Sequence, residues 1–398
     1  MKKDIIDCFN LTGLIFDKLE TNENICLHVR SPRNTFYCTK CERKTKDVYD
    51  RTTRKILHGI FESRKVLLIL KIRRFKCKRC QFVFTEPRPI GVSRKKYDDH
   101  FATEVVGYLT VSNFKETSKK YQISPPVLIS ILKDRRRVEK LPEGELVLNI
   151  DEHSFSGRDL KITVGEPRHK KLLDVLKDDR QETLRRYLKS LPDEAKQRVK
   201  EACIDMKISY LNVINEILPD AKIVLDRFHV VKEMVRQVEE IRKIMQTKGC
   251  IGDKRVNRFL FAKNRENLSF KEQEKLKQIF ENNKKFPTLQ NAYFVKEKVR
   301  DMYNSRNRKE AERKLNMLLV QLEEFEVGKL REMRDTLIRW KPYILNFFES
   351  RTTNAFIEGC HNKIKLIKRM SYGFRNFDNY VLKITLAFAP FLFLNLPH

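Results

Sequence analysis

The sequence predicts a multidomain, mixed α/β protein, and three observations predict it. Two Cys-x-x-Cys pairs stand near the start, Cys38/Cys41 and Cys77/Cys80. Short apolar runs alternate with amphipathic stretches from residue 145 to 226. A charged stretch poor in Gly and Pro then runs from about 230 to 340 with helical periodicity. A chain of 398 residues has room for two or three domains and a sizeable core.

Charge narrows the function classes. There are 83 Lys and Arg against 53 Asp and Glu, and the net charge of +30 is spread along the chain. That calls for a polyanion partner, most simply nucleic acid. No run reaches the ~20 apolar residues of a membrane span. The apolar stretch Phe388 to Leu396 reads as a C-terminal core helix. Met-Lys-Lys-Asp leads into no long apolar region, so no signal peptide is expected.

Up to residue 35 the one plausible strand is Ile25 to Val29. Each Cys-x-x-Cys turn then presents two sulfurs on one side, and Zn²⁺ takes four in a tetrahedron. One structural Zn²⁺ on Cys38, Cys41, Cys77 and Cys80 is expected. Cys8, Cys26, Cys203, Cys250 and Cys360 are expected as free thiols. A strand over Lys65 to Phe75 ends in Arg73 and Arg74, and with Lys78 and Arg79 these are candidate phosphate contacts. The plainer reading is a module that braces its neighbour.

Pro87 and Pro89 mark a linker. Helices follow over Phe101–Leu109 and Phe114–Tyr121, then a turn, then a helix opened by Pro125 with Ser124 as N-cap. It ends in Arg135, Arg136 and Arg137, the pattern of a DNA-binding helix-turn-helix. The same pattern also fits a packed helix pair.

Three strands open the next region: 145–150, 160–165 and 172–176. A helix over 180–191, the strand Val199–Ile204, the helix Ile208–Leu218 and the strand Ala221–Leu225 complete it. That is the element order of a ribonuclease-H-like sheet. In the helical region beyond it, Lys254, Arg255, Arg258, Lys263 and Arg265 form one basic cluster. After it, Ile357, Cys360, Ile364 and Ile367 stripe one helix beside Lys363, Lys365, Lys368 and Arg369, a candidate DNA face. Glu358 is the only acid between Arg351 and Phe377.

Asp151 and Asp205 end predicted strands, and Glu358 lies on that late helix. Singly, each has an ordinary reading: a turn, a helix cap, a partner for lysines. Jointly, oxygen ligands of this kind suit Mg²⁺ or Mn²⁺, two per site and about 4 Å apart, as in phosphoryl transfer.

Four pieces carry a wider likeness. They are the paired Cys-x-x-Cys module, Ile150-Asp151-Glu152, Pro219-Asp-Ala-Lys-Ile-Val-Leu-Asp226-Arg-Phe-His229, and Ile357-Glu358-Gly-x-x-Asn362-Lys-Ile-Lys365 followed by Tyr372-Gly-Phe-Arg-Asn-Phe377. In these the sequence resembles the DDE transposases of bacterial insertion sequences, specifically the ISL-three group. The resemblance implies a ribonuclease-H-like core interrupted by an all-α insertion, and DNA cleavage and strand transfer at element ends. Asp151 matches the first acid and Glu358 the last. Asp205 is preferred as the second, with Asp226 the alternative and His229 in support. Implied partners are double-stranded DNA, at inverted-repeat ends and target, and a second copy in a homodimer or higher oligomer. The implied location is the bacterial cytoplasm, at the nucleoid.

The expected divisions are 1–95 (zinc module), 96–140 (helix-turn-helix), 141–230 (core, first part), 231–340 (insertion) and 341–398 (core, second part). Cys360-His361 departs from the group's usual apolar-Asn pair, and 160–178 is short for two strands. Competing readings are a transposase-derived DNA-binding protein without catalysis and a ribonuclease-H-type nuclease or resolvase.

Overall fold

The computed structural model describes residues 9, 11, 13–87, 96–247, 259–282, 287–324 and 328–394. Met1–Asp4, Cys8, Pro89, Cys250, Lys254, Arg255 and Arg258 lie outside them. The chain forms two compact units, one of residues 1–139 with 365–398, the other of 140–364.

The first unit is built on a sheet of β1 (Ile15–Thr21), β2 (Ile25–Arg30), β5 (Val48–Phe61), β6 (Arg64–Lys76) and β7 (Val83–Thr85). Its order is β1-β2-β6-β5, with β7 also on β6. The short strands β3 (Phe36–Tyr37) and β4 (Lys44–Thr45) pair beside the first Cys-x-x-Cys turn. Sequence periodicity misses β1 and β5. Part of β5, from Arg51 to Thr53, is polar and exposed, so no apolar alternation marks it there. It is held by pairing along β6, from Val48↔Phe75 to Phe61↔Arg64.

Three helices follow: α1 (Asp99–Val111), α2 (Phe114–Tyr121) and α3 (Pro125–Arg135). Asp98 caps α1 through the Phe101 amide at 2.9 Å, and Asn113 caps α2. Ser124 holds the N-cap position of α3, but its hydroxyl makes no capping bond. The apolar stretch expected as a core helix, Phe388 to Leu396, carries only a 3₁₀ turn at Pro390–Leu392 within its described residues; the α-helix lies ahead of it, at Phe377–Phe388, and buries Leu382 and Leu386 against Phe101, Val105 and Leu128 of the first unit. Its buried Lys383 donates to the carbonyl oxygens of Leu109 and Ser112, at the C-terminus of α1. That end carries no basic residue of its own, so the ammonium supplies the charge its dipole favours.

His58 on β5 joins sheet to helices. Its Nδ1 meets Asp98 Oδ2, and its Nε2 lies 2.6 Å from the Phe9 carbonyl oxygen. Both partners are acceptors, so the ring is held as an imidazolium. Burial opposes that charge, but Asp98 outweighs it, with Glu104 adding in the same sense, and the His58 pKa lies above its ordinary value. His100 stacks on the ring at 4.7 Å. A raised folded pKa means stability present below about pH 6.5 and lost as pH rises through the folded value. The thermal midpoint should therefore fall over that range. His58→Gln should remove that slope and cost about 3 kcal/mol below it, as for one partner taken from a buried pair. An unchanged slope in the variant would refute this.

The second unit carries the sheet β10-β9-β8-β11-β12. β8 (Leu146–Ser156), β9 (Asp159–Glu166) and β10 (Lys171–Val175) form an antiparallel meander; β11 (Val199–Ile204) and β12 (Lys222–Leu225) run parallel to β8. From Leu146 to Asp151 every residue of β8 is buried, as befits a central strand covered on both faces. Helices α4 (Gln181–Ser190), α5 (Asp193–Arg198) and α6 (Ile208–Ile217) connect the later strands. A run of helices continues through α7 (Arg227–Thr247), α8 (Phe270–Asn282), α9 (Thr288–Tyr303), α10 (Arg308–Glu323) and α11 (Gly328–Ser350). α11 runs through Pro342, so the division expected between 340 and 341 falls inside a continuous helix. Buried side chains of these helices share one apolar core with the sheet.

Helix α12 (Ala355–Met370) begins in this unit. The stripe Ile357, Cys360, Ile364 and Ile367 is buried, as its spacing predicts. Gly165 on β9 makes room for it: a Cβ there would stand 2.6 Å from Ile357 Cδ1 and 3.0 Å from the Phe356 ring.

Candidate active site

Strand register brings the aspartates together. Cys203 of β11 pairs with Asn149 of β8, so two places on Asp205 stands beside Asp151. On the other side Ile204 pairs with Leu225, so Asp226 stands beside Asp205. Residues level on adjacent strands share a face. Asp151, Asp205 and His229 bring their ligand atoms within 4.8 Å of one another.

The two candidate second acids differ in surroundings. Asp226 is buried, accepts the Asn354 amide at 3.3 Å, and has its carbonyl oxygen bonded by the His229 amide. Its carboxylate lies 4.0 Å from His229 Nε2. Asp205 is part-exposed, and His229 Nε2 lies 3.0 Å from its Oδ1 without hydrogen-bond alignment. That oxygen is buried and unsatisfied.

Burial, then the charges of Asp151 and Glu152, push the Asp205 carboxyl up to about 9. Burial also raises Asp151 and Asp226 and lowers His229. Three crowded carboxyls resist ionising together unless a cation joins them. An orphaned carboxylate oxygen among hard oxygen donors, with one imidazole, fits a divalent ion such as Mg²⁺ or Mn²⁺.

Glu358 is exposed in the first turn of α12 and lies outside that tight set. Its charge still reaches the site, acting on Asp226 and His229. Buried amides fix the backbone leading to it: Asn149 Nδ2 donates to the Thr353 carbonyl oxygen at 2.6 Å, and Asn354 Nδ2 reaches that of Ile150 at 3.5 Å.

His361, one turn beyond Glu358, has Nδ1 3.6 Å from Asp151 Oδ2 and Nε2 3.0 Å from Thr163 Oγ1. Thr163 in turn meets His153 Nδ1 at 2.7 Å. The sequence left His361 without a role and did not single out His153; alternation along β8, which sets 151 and 153 on one face, was the available signal. Also missed was the anchoring of Glu152 by Lys207 and the Tyr210 hydroxyl.

Among the described residues, Cys38, Cys41, Cys77 and Cys80 form the one four-thiol cluster. Cys38 Sγ lies 3.6 Å from Cys80 Sγ, and Cys41 Sγ 3.5 Å from Cys77 Sγ. Tetrahedral zinc with Zn–S of about 2.3 Å sets sulfurs about 3.8 Å apart, so the set fits that ion. The turns are alike: the residue after each pair, Glu42 or Gln81, has positive φ, and its amide donates to the first cysteine's carbonyl oxygen. The Cys80 and Arg79 amides lower Cys77 to about 6; at Cys41 the Arg43 amide lowers the pKa, but burial and the other thiols push it up to about 11. Cys26, Cys203 and Cys360 are free thiols, as expected.

The candidate phosphate contacts divide. Arg73 binds the buried Glu86 at 2.7 Å, and Arg135 donates to the Asp99 carbonyl oxygen at 2.6 Å. The half-buried Arg74 pairs with Asp50, and the exposed Lys78 with Asp47. Arg79, Arg136, Arg137, Lys363, Lys365 and Arg369 are exposed and Lys368 is half-buried.

Residues 148–384, more than half of the chain, match the sequence profile of the ISL-three transposase family. The chain belongs to this family. It is also 24% identical over 380 residues, 93% of each chain, to the transposase for insertion sequence element IS1001 of Bordetella parapertussis. The span matched by the transposase family takes in Asp151, Asp205, Asp226, His229 and Glu358, and the helical run between them. Among this transposase's described residues no helix is long and apolar enough to cross a membrane.

Proposed function

We propose that the protein cleaves DNA at insertion-sequence ends and joins the freed ends to target DNA. The observation that carries this reading is the register neighbourhood of Asp151 and Asp205, with an unsatisfied Asp205 oxygen, inside the span matched by the transposase family. Strand order supports a ribonuclease-H-like core, three antiparallel strands followed by two parallel ones. Helices α1 to α3 support a helix-turn-helix role in end recognition, and the four thiols a bound zinc. The first four segments outlined from sequence serve as functional divisions, whereas the fifth, 341–398, is shared between the two units.

Asp151, Asp205 and Glu358 would hold two Mg²⁺ (or Mn²⁺) ions. Such ions, when bound, stabilise charge on the attacking and leaving oxygens of an in-line phosphoryl transfer. The chain's own residues prepare the place. His361 and Thr163 steady the Asp151 side of the site, and His229 lies against Asp205. Asp226 holds the backbone at Asn354, ahead of the Glu358 helix. Lys363, Lys365, Lys368 and Arg369 offer cations to phosphates, orienting the strand without reading its sequence. Joining two ends at once calls for two protomers, each with one site.

The test is strand transfer by the purified protein with Mg²⁺ and duplexes carrying the element's inverted repeats. Joined products are expected with element ends and not with random duplex. Binding without any cleavage would favour a DNA-binding protein, and cleavage of branched DNA regardless of ends a nuclease.

A further inference from the structure

We propose that helix α10 is a docking surface for a second copy of this chain, the two helices packing antiparallel across a two-fold axis. Arg313, Met317, Val320 and Glu324 recur along it at spacings of four, three and four, with Glu324 as its C-cap. Such spacing sets side chains in one line, as in the seam of a coiled coil. The opposite face packs inward through the buried Ala311, Leu315, Leu318 and Leu322. Met317 is 55% exposed and Val320 60%, an apolar pair left to solvent.

Charge identifies the partner. Most charged residues of α10 are taken up within the second unit. Arg308 pairs with Glu349, Glu312 lies 3.8 Å from Lys341, Lys314 lies 3.2 Å from Asp301, and Glu323 lies 3.0 Å from Arg334. Arg313 and Glu324 are exposed and make no ion pair with another described residue. They stand roughly three turns apart, about 16 Å along the axis, too far to meet within one helix. Glu324 also puts an acid where the helix dipole favours a cation, and the last turn holds no base.

A two-fold axis satisfies both groups. Turned end for end, a second α10 brings its Glu324 level with Arg313 and its Val320 level with Met317. Such a contact repeats every pair, so two ion pairs flank two apolar layers. Parallel helices would set Arg313 on Arg313 and Glu324 on Glu324, so charge selects the antiparallel form. A DNA strand would gain nothing from Met317 and Val320 and would be repelled by Glu324. One helix pair falls at or below the low end of specific interfaces, which bury about 1,200 Å² or more in all, so the contact is weak in free solution. Two copies held on one pair of DNA ends meet at high effective concentration, where a weak contact suffices.

The contact needs neither DNA nor catalysis to form, so it stands apart from the proposed reaction. The experiment is sedimentation equilibrium of the full-length protein over a concentration series without DNA. A reversible monomer–dimer equilibrium is expected. Val320→Glu and Arg313→Glu, both at exposed positions, should each raise the dissociation constant about tenfold or more, since each change enters the dimer twice. Arg313→Glu combined with Glu324→Arg should restore it, because the reversed charges meet only across the axis. A protein monomeric throughout overturns the proposal. So does a dimer indifferent to both single changes, or one that the double reversal leaves broken. Asp151→Ala should dimerise like the natural chain. A dimer that joins no DNA ends counts against the proposed reaction and leaves the contact standing; strand transfer by a protein monomeric at every concentration does the reverse.

Discussion

Replacing Asp205 by Asn should reduce strand transfer by about a hundredfold or more while leaving binding to element ends intact. The basis is the scale of electrostatic stabilisation in a transition state, where one lost group typically costs about 10² to 10³ in rate. Asp151→Ala and Glu358→Gln should fall in the same class. Asp226→Asn is the contrast. The side chain is buried, keeps an oxygen for the Asn354 amide after substitution, and lies outside the tight set formed by Asp151, Asp205 and His229. Its loss of activity should be much the smaller. Strand transfer and gel-shift assays on the same protein samples read both quantities. The assignment is reversed if Asp226→Asn is inactive and Asp205→Asn is not.

The second large effect concerns the thiols. Zinc binding to sites of this class is worth about 10–16 kcal/mol of apparent free energy, most of it expressed as folding. Cys77→Ser should remove the ion and unfold the Cys-x-x-Cys turns along with β3 and β4. Elemental analysis should give one zinc per chain before substitution and close to none after. Asp151→Ala should keep its zinc in full. A Cys77→Ser protein that retained a full equivalent would show that the four sulfurs do not form the site.

The sequence made some of this legible and hid the rest for identifiable reasons. Strands β8, β11 and β12 were readable because each is a short apolar run halted by a charge, Asp151 being still within β8 and Asp205 and Asp226 just beyond the others. The choice between Asp205 and Asp226 was not, because both follow short apolar strands, and what separates them, burial, the Asn354 amide and nearness to Asp151, arises only in the fold. β5 stayed hidden because its polar half has no apolar period. The C-terminal helix was recognisably buried, but an apolar face does not specify its partner; Lys383, reaching the end of α1, is a contact that periodicity cannot express. Basic residues were the least readable. Nothing near Arg73 in the chain says that Glu86 will neutralise it, so a residue expected on phosphate is occupied within the fold.

Gly165 has a meaning for the element as well as for the enzyme. Every glycine codon is one base from an alanine codon and one from a valine codon. Either side chain would press on Ile357 and Phe356 and lift the helix bearing Glu358 away from its strand. On the proposed function, such a copy would still recognise element ends, through residues of the first unit, yet fail to cut them. It would be an occupant that excludes its intact relatives. A single base change in one copy can thus turn a mobilising gene into a brake on every other copy in the same cell.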